Sequence, residues 1–317
     1  VGLVLAVFVL IFGFLAVSSF IQKNPTVDEP VHLLSGYSIL KWGDYRANPE
    51  HPPLAKIWAA LPLMFLDAKN SQPPAPFWEL IPKEGTIALH TVNAAVQLLF
   101  VENDAETFFF YAKLMMIVPA LILGLFIFKW SKELFGVSAG IAALFLYTLD
   151  PNILAHSTQV HTDVPFTAIF FIGTYFLWRS LNRLNIANLT FAALCFGLAV
   201  ITKWAYTVMF LTWLILALVR ILSPSPLIVT FSGSAEIGSR WKKAGVLFGL
   251  LASMLIIAYG FVWLAYGFRY FAIPGGAMRL PMDQQLPLFD FARSVIAFVT
   301  RTHFFPEAWI YGQLDIF

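Results

Sequence analysis

Charge is what this chain has least of. Only 12% of its 317 residues are Asp, Glu, Lys or Arg, while 59% are hydrophobic. A soluble domain carries about 25% charged and about 45–50% apolar residues. So few charges cannot cover a water-exposed surface, which excludes a soluble globular fold. Cysteine is nearly absent as well. The lone Cys195 excludes a disulfide within the chain and a thiolate metal site, and within its apolar run it reads as a small buried hydrophobe. The net charge is +2, with basic residues scattered and segregated by loop, so nucleic acid is not an expected partner. What the chain has in abundance is phenylalanine, 32 residues, which suits a lipid-facing surface better than a soluble core.

The apolar residues fall in runs. Residues 1–20 are uncharged, and about 20 residues are enough to cross about 30 Å of hydrocarbon. Ala16 and Ser18 resemble a signal-peptide cleavage site, but no positive n-region precedes them, so the run reads as a first span. Further runs lie at 108–128, 135–149, 164–180, 186–201, 204–221 and 244–266, about seven spans in all. Such unbroken runs satisfy their backbone groups in lipid only as helices. The expected fold is therefore all-α, a polytopic membrane helical bundle forming one module over residues 1–317. The chain begins at Val1 without a Met and stops at Phe317 without a polar tail, and is expected to be a piece of a longer protein.

Loop charges orient the bundle. One set of loops holds Lys129, Lys132, Arg179, Arg183, Arg220, Arg240, Lys242 and Lys243, with only Glu133 and Glu236 as acids. Short loops rich in Lys and Arg stay in the cytoplasm, so the long loop at 21–107 and the tail at 267–317 are expected to face outward. The glycosylation sequon Asn188-Leu189-Thr190 falls on the cytoplasmic side and is dismissed.

Loops longer than about 12–15 residues are usually functional or carry structure of their own. In the first outer loop, Asp28-Glu29-Pro30 sets an N-cap candidate before a Pro in a first helical turn. Leu33, Leu34, Tyr37 and Leu40 then share one face. A second start follows residues 48–53, with Leu54, Ile57, Trp58, Leu61 and Phe65 at helical spacing. Both segments are expected to be amphipathic helices lying in the membrane interface. The proline-rich stretch with Pro73, Pro74, Pro76 and Pro82 reads as loop.

Ionisable residues gather on the same outward side. Asp28 and Glu29 are adjacent carboxylates, readable as a helix cap with a solvated acid or as acid–base groups, and His32 lies one turn on from Asp28. Asp163 opens a later span after Asp150, His156 and His161. His161 and Asp163 diverge on a helix but can converge in a loop. No dense His-x-x-x-His ligand pattern appears there. Lys203 sits between two apolar runs, where it either snorkels or meets a lipid phosphate.

These residues also form a pattern. Asp28-Glu29-Pro30-Val31-His32, then His51-Pro52-Pro53-Leu54-Ala55-Lys56, resembles the first outer loop of the protein O-mannosyltransferase and aminoarabinose-transferase group. Asp163, Gly197-Leu198-Ala199-Val200-Ile201-Thr202-Lys203 and Phe305-Pro306-Glu307-Ala308-Trp309-Ile310-Tyr311-Gly312 resemble later stretches of it, in order along the chain. These are GT-C fold glycosyltransferases using sugars carried on polyprenyl phosphate. The resemblance implies Asp28 as base, Glu29 and Asp163 as supporting acids, and His32, His51, Lys56 and Lys203 near the donor phosphate. By analogy with the aminoarabinose branch it implies a divalent metal ion near Glu50 or His51. Val31, where that branch has Arg, and His32, where the mannosyltransferases have His, favour the mannosyltransferase side.

The function so implied is transfer of a sugar from a polyprenyl-phosphate donor to a hydroxyl of a protein or lipid, with inversion. It would occur on the outer face of a bacterial inner membrane. A sugar phosphate leaves as an anion that needs no protonation, so one carboxylate base suffices. Two readings compete with it. A transporter or flippase would bury charges mid-membrane and show repeat symmetry; the span centres are nearly free of charge and no repeat is visible. A non-catalytic scaffold would tolerate loss of the outer carboxylates.

Overall fold

The computed structural model describes residues 1–66, 68–69, 73–74, 77–81, 87–231, 233–276, 280 and 290–315. Pro76 and Pro82 lie outside the described residues. The chain is an all-α polytopic helical bundle. Each apolar run becomes a helix: α1 (Gly2–Phe20), α6 (Ala105–Phe135), α7 (Val137–Leu149), α9 (Asp163–Asn182), α10 (Ile186–Val200), α11 (Tyr206–Leu222) and α12 (Arg240–Ala265). Among the described residues four of these, α1, α6, α9 and α12, are long and apolar enough to cross a membrane. α7, α10 and α11 are shorter, at 13, 15 and 17 residues. The other helices are α2 (Glu29–Trp42), α3 (Leu54–Ala60), α4 (Phe77–Leu80), α5 (Ile87–Val96), α8 (Pro151–His156), α13 (Asp290–Arg301) and α14 (Glu307–Leu314).

Helices and connections group into two compact units, residues 1–165 with 263–317, and residues 166–262. In the first, α1 packs on α6, α7 and α8, while α2 packs on α3 and α5. α6 is 31 residues long, about 46 Å at 1.5 Å per residue, so it outreaches about 30 Å of hydrocarbon. Its charged residues fit that surplus: Glu106 and Lys113 stand toward one end, Lys129, Lys132 and Glu133 near the other, with no charge between 113 and 129.

Pro119 inside α6 has no N–H, which orphans the carbonyl four residues before it. That carbonyl belongs to Met115, and the indole of Trp58 donates to it at 2.7 Å. A proline break in one helix thus fixes where α3 docks. Two glycines allow closer contacts still. A Cβ at Gly36 of α2 would collide with the Lys56 carbonyl of α3, and one at Gly124 of α6 with the rings of Phe8 and Tyr147.

α2 is enclosed by the rest of its unit over much of its length. Residues 32–38 are all buried, and seven consecutive positions cover nearly two turns, so every face of the helix is packed.

The second unit holds α10, α11, most of α9 and most of α12. The Trp213 indole donates to Thr174 Oγ1 at 3.0 Å, tying α11 to α9, and Gly197 of α10 lies beneath the ring of Phe261. β1 (Arg183–Leu184) pairs parallel with β2 (Leu227–Val229), which pairs antiparallel with β3 (Ala235–Ile237). Basic residues collect beside this small sheet. Arg220 donates to the carbonyls of Leu181, Ser225 and Pro226, and Lys243 Nζ to those of Ser223 and Ser225, satisfying carbonyls at the ends of α9 and α11 and in the turn before β2.

Candidate active site

α2 starts at Glu29 because Pro30 fits the first helical turn, where no N–H is needed. Asp28 occupies the N-cap position, yet its side chain makes no capping hydrogen bond. Its carboxylate is 68% exposed and points instead to His161, with Oδ2 3.7 Å from Nε2. The other ring nitrogen of His161, Nδ1, lies 3.3 Å from Asp163 Oδ2. One imidazole therefore stands between two carboxylates that are far apart in sequence. The hydrogen bond with Asp163 raises the His161 pKa above its usual 6.5; burial opposes this, and the charges of Asp163, Asp28 and Glu29 reinforce it.

Glu29 has a different task. It is fully buried. Oε1 accepts from the Thr26 backbone N–H at 2.8 Å and from its hydroxyl at 3.2 Å. Oε2 accepts from the Val160 N–H at 3.0 Å and lies 3.5 Å from Lys113 Nζ. The carboxylate clamps the segment before α2, the loop carrying His161 and the start of α6 to one another.

The turn at residues 48–51 forms the facing wall. Asn48 has φ 49°, in the left-handed region that Asn tolerates better than most residues. The fold there turns the Asn48 and His51 carbonyls onto Lys56, whose Nζ donates at 2.6 and 2.5 Å, with Asn48 Oδ1 at 3.3 Å. Burial pulls the Lys56 pKa down to about 7, opposed by the charge of Glu50, and the three oxygens favour the ammonium form. Lys56 is 2% exposed. It holds the turn from beneath and does not face the cavity.

Between the two walls is a cavity of about 200 Å³ lined by Asp28, Val31, His32, Asn48, Pro49, Glu50, His51, Thr91, His161 and Asp315, with Val27 and Val92. The His32 ring lies 5.9 Å from that of His51 and 5.3 Å from that of His161. Burial holds the His32 pKa well below 6.5, and neighbouring Lys56, His161 and His51 push the same way. His32 is thus neutral near pH 7 and offers a phosphate an N–H donor rather than a charge. A larger cavity, about 630 Å³, lies at the end of α1 and the start of α6; Phe20, Phe100, Phe109 and Phe110 line it together with Lys23 and Lys113.

Sequence-expected residues therefore separate. Asp28, His32, Glu50 and His51 line one cavity, and Asp163 joins it through His161. Glu29 and Lys56 stand behind its walls. Lys203 is half-buried in the turn between α10 and α11, within the second unit. Near Glu50, where a metal was expected, His51 Nε2 lies 4.0 Å from Oε1, and among the described residues no three His, Cys, Asp or Glu are grouped to hold an ion. The donor set does not fit, and no step is routed through a metal. Asp315 and Thr91 had no local signal, since they reach the cavity only through tertiary packing.

A cavity edged by carboxylates and imidazoles suits proton removal from a hydroxyl, and a comparison with known families now bears on it. A model of the dolichyl-phosphate-mannose-protein mannosyltransferase family matches residues 99–263, just over half of the chain. The chain belongs to this family. No curated protein and no solved structure matches it. The segment matched to the mannosyltransferase family contains His161, Asp163 and Lys203, while Asp28, Glu29 and residues 48–56 precede it. As a member of a membrane mannosyltransferase family with four apolar helices of spanning length, the protein is an integral membrane glycosyltransferase.

Proposed function

We propose that the protein moves a hexosyl group from a polyprenyl-phosphate carrier to a hydroxyl of a protein acceptor, with inversion, and that Asp28 is the general base. The observation that carries this reading is the Asp28 side chain: placed at a helix start but not used as a cap, it faces a small cavity it shares with His51 and His161. The acceptor oxygen attacks the anomeric carbon as Asp28 takes its proton, and the bond to the phosphate oxygen breaks with the electron pair leaving on phosphate. The leaving anion requires no acid, in contrast to glycoside hydrolysis, where two carboxyls flank the bond. A positioned base contributes roughly 10²–10⁴-fold.

His51 and His32 lie where ring N–H groups can donate to the departing phosphate, the kind of fixed dipole that stabilises developing charge. Lys56 acts as a positioning residue that holds the His51 turn. The larger cavity, with four phenylalanine rings and two lysines, takes the phosphate-proximal part of the lipid chain. In this reading all seven apolar helices cross the membrane, with α7, α10 and α11 short enough to require local thinning of the bilayer. The basic loops between α6 and α7, α9 and α10, and α11 and α12 lie in the cytoplasm, which puts Asp28 on the outer face of a bacterial plasma membrane.

The test is Asp28→Asn in membranes supplied with labelled dolichyl-phosphate mannose. Transfer of label into protein is expected to fall at least about 100-fold, the scale of a lost general base. Turnover equal to wild type would remove Asp28 from the chemistry.

A further inference from the structure

We infer that His161 is a second proton-handling residue of this site: anchored by Asp163, it receives at Nε2 the proton that Asp28 takes from the acceptor. The inference rests on the transfer reading given above and deepens it.

The geometry assigns His161 its two sides. Asp163 Oδ2, at 3.3 Å from Nδ1, holds that nitrogen as the N–H, which leaves the Nε2 lone pair facing Asp28 Oδ2 at 3.7 Å. A carboxylate–imidazole pair of this kind fixes tautomer and ring orientation and stabilises the imidazolium once formed. Closing the gap to hydrogen-bond length takes about 1 Å, a tightening that catalytic contacts commonly show when substrate binds.

Asp28 has reason to need such a partner. Its carboxylate is 68% exposed without ligands, but a lipid-linked sugar and an acceptor seated over the cavity would cover it. His161, 24% exposed, lies behind it and on the same cavity. In the full step, the acceptor oxygen bonds to the anomeric carbon, the C–O bond to phosphate breaks, and the proton moves from the hydroxyl to Asp28. It then passes to His161 Nε2, so Asp28 is a carboxylate again and the imidazolium lies between two acids. The proton leaves to solvent when product departs.

Other titratable groups face this imidazole. Asp163 lies on its own segment, Asp28, Glu29 and His32 come from the start of α2, and Glu50, His51 and Asp315 share the cavity. Asp163, Asp28 and Glu29 favour the protonated form, and burial opposes them. His161 must be neutral to accept a proton. Activity is therefore expected to rise with pH through a value above 6.5 and to fall below it.

The experiment measures label transfer from dolichyl-phosphate mannose into protein in native membranes, from about pH 5.5 to about pH 8.5, for wild type, His161→Gln and Asp163→Asn. Wild type is expected to show the acid limb. His161→Gln should lose the limb and drop about 100-fold at the alkaline end. Asp163→Asn, which removes the charge that helps raise the pKa but keeps an oxygen able to accept from Nδ1–H, should move the limb to lower pH. A His161→Gln protein with the wild-type rate overturns the inference. So does one that is slower but keeps the wild-type limb, because that is the behaviour of a purely structural tether. Should His161→Gln fail to fold, the other two profiles decide: a wild type without an acid limb, or an Asp163→Asn limb that has not moved, overturns it equally. Wild-type membranes that transfer no label at any pH would instead sink the transferase reading itself.

Discussion

Asp28 and Glu29 are neighbours in sequence, yet one side chain is 68% exposed and the other 1%. The difference follows from where a helix begins. Asp28 is the last residue before the first turn and projects outward, whereas Glu29 turns inward onto Thr26, Val160 and Lys113. A buried ion pair is weak as net stabilisation, but removing one partner strands the other charge at about 3–5 kcal/mol. Glu29→Ala should therefore lower the melting temperature of the detergent-solubilised protein markedly. Glu29→Ala with Lys113→Met should recover part of the loss, because no unpaired ammonium remains. Equal melting of the single and double variants would show that the pair is not what the site rests on. The sequence displayed both acids. It could not say which one was structural, because Glu29's partners Lys113 and Val160 lie 84 and 131 residues away along the chain.

Among the elements, α2 and α3 depend on each other. Pro30 and the apolar spacing made both helices legible, and the start of α2 falls where those signals put it. Their packing was not legible, since it is fixed by features on different helices: the bare face of Gly36 and the carbonyl that Pro119 orphans for Trp58. Gly36 lies against the backbone of Lys56, the same residue that gathers the Asn48 and His51 carbonyls. A methyl group at position 36 has backbone to displace rather than a flexible side-chain end. Gly36→Ala should cost about 1–3 kcal/mol or more through overpacking, and it should also shift the His51 wall of the cavity. Melting temperature and label transfer are expected to fall together. A variant that melts normally and transfers normally would show that the α2–α3 contact can give without cost.

For the whole molecule, the four described helices long and apolar enough to cross a membrane lie in runs that composition made legible, because a bilayer demands uninterrupted runs and internal backbone hydrogen bonds. The cavity was only half visible. Asp28, His51, His161 and Asp315 share no local pattern, and what joins them is the folding of the first loop back against the loop before α9. Orientation rests on charge alone: the basic loops carrying Arg220, Lys242 and Lys243 are proposed to face the cytoplasm, and Asp28 with Glu50 the outside. This gives a direct expectation. Cys195 is the only thiol, so Cys195→Ala provides a background without reactive cysteines. In it, Glu50→Cys and Lys242→Cys each place one thiol at an exposed position. A membrane-impermeant maleimide added to intact cells, with any outer barrier removed, should label the cysteine at 50. It should label the one at 242 only after the membrane is opened. Labelling at 242 in sealed cells would reverse the bundle, place Asp28 beside the cytoplasm, and require a donor presented from that side.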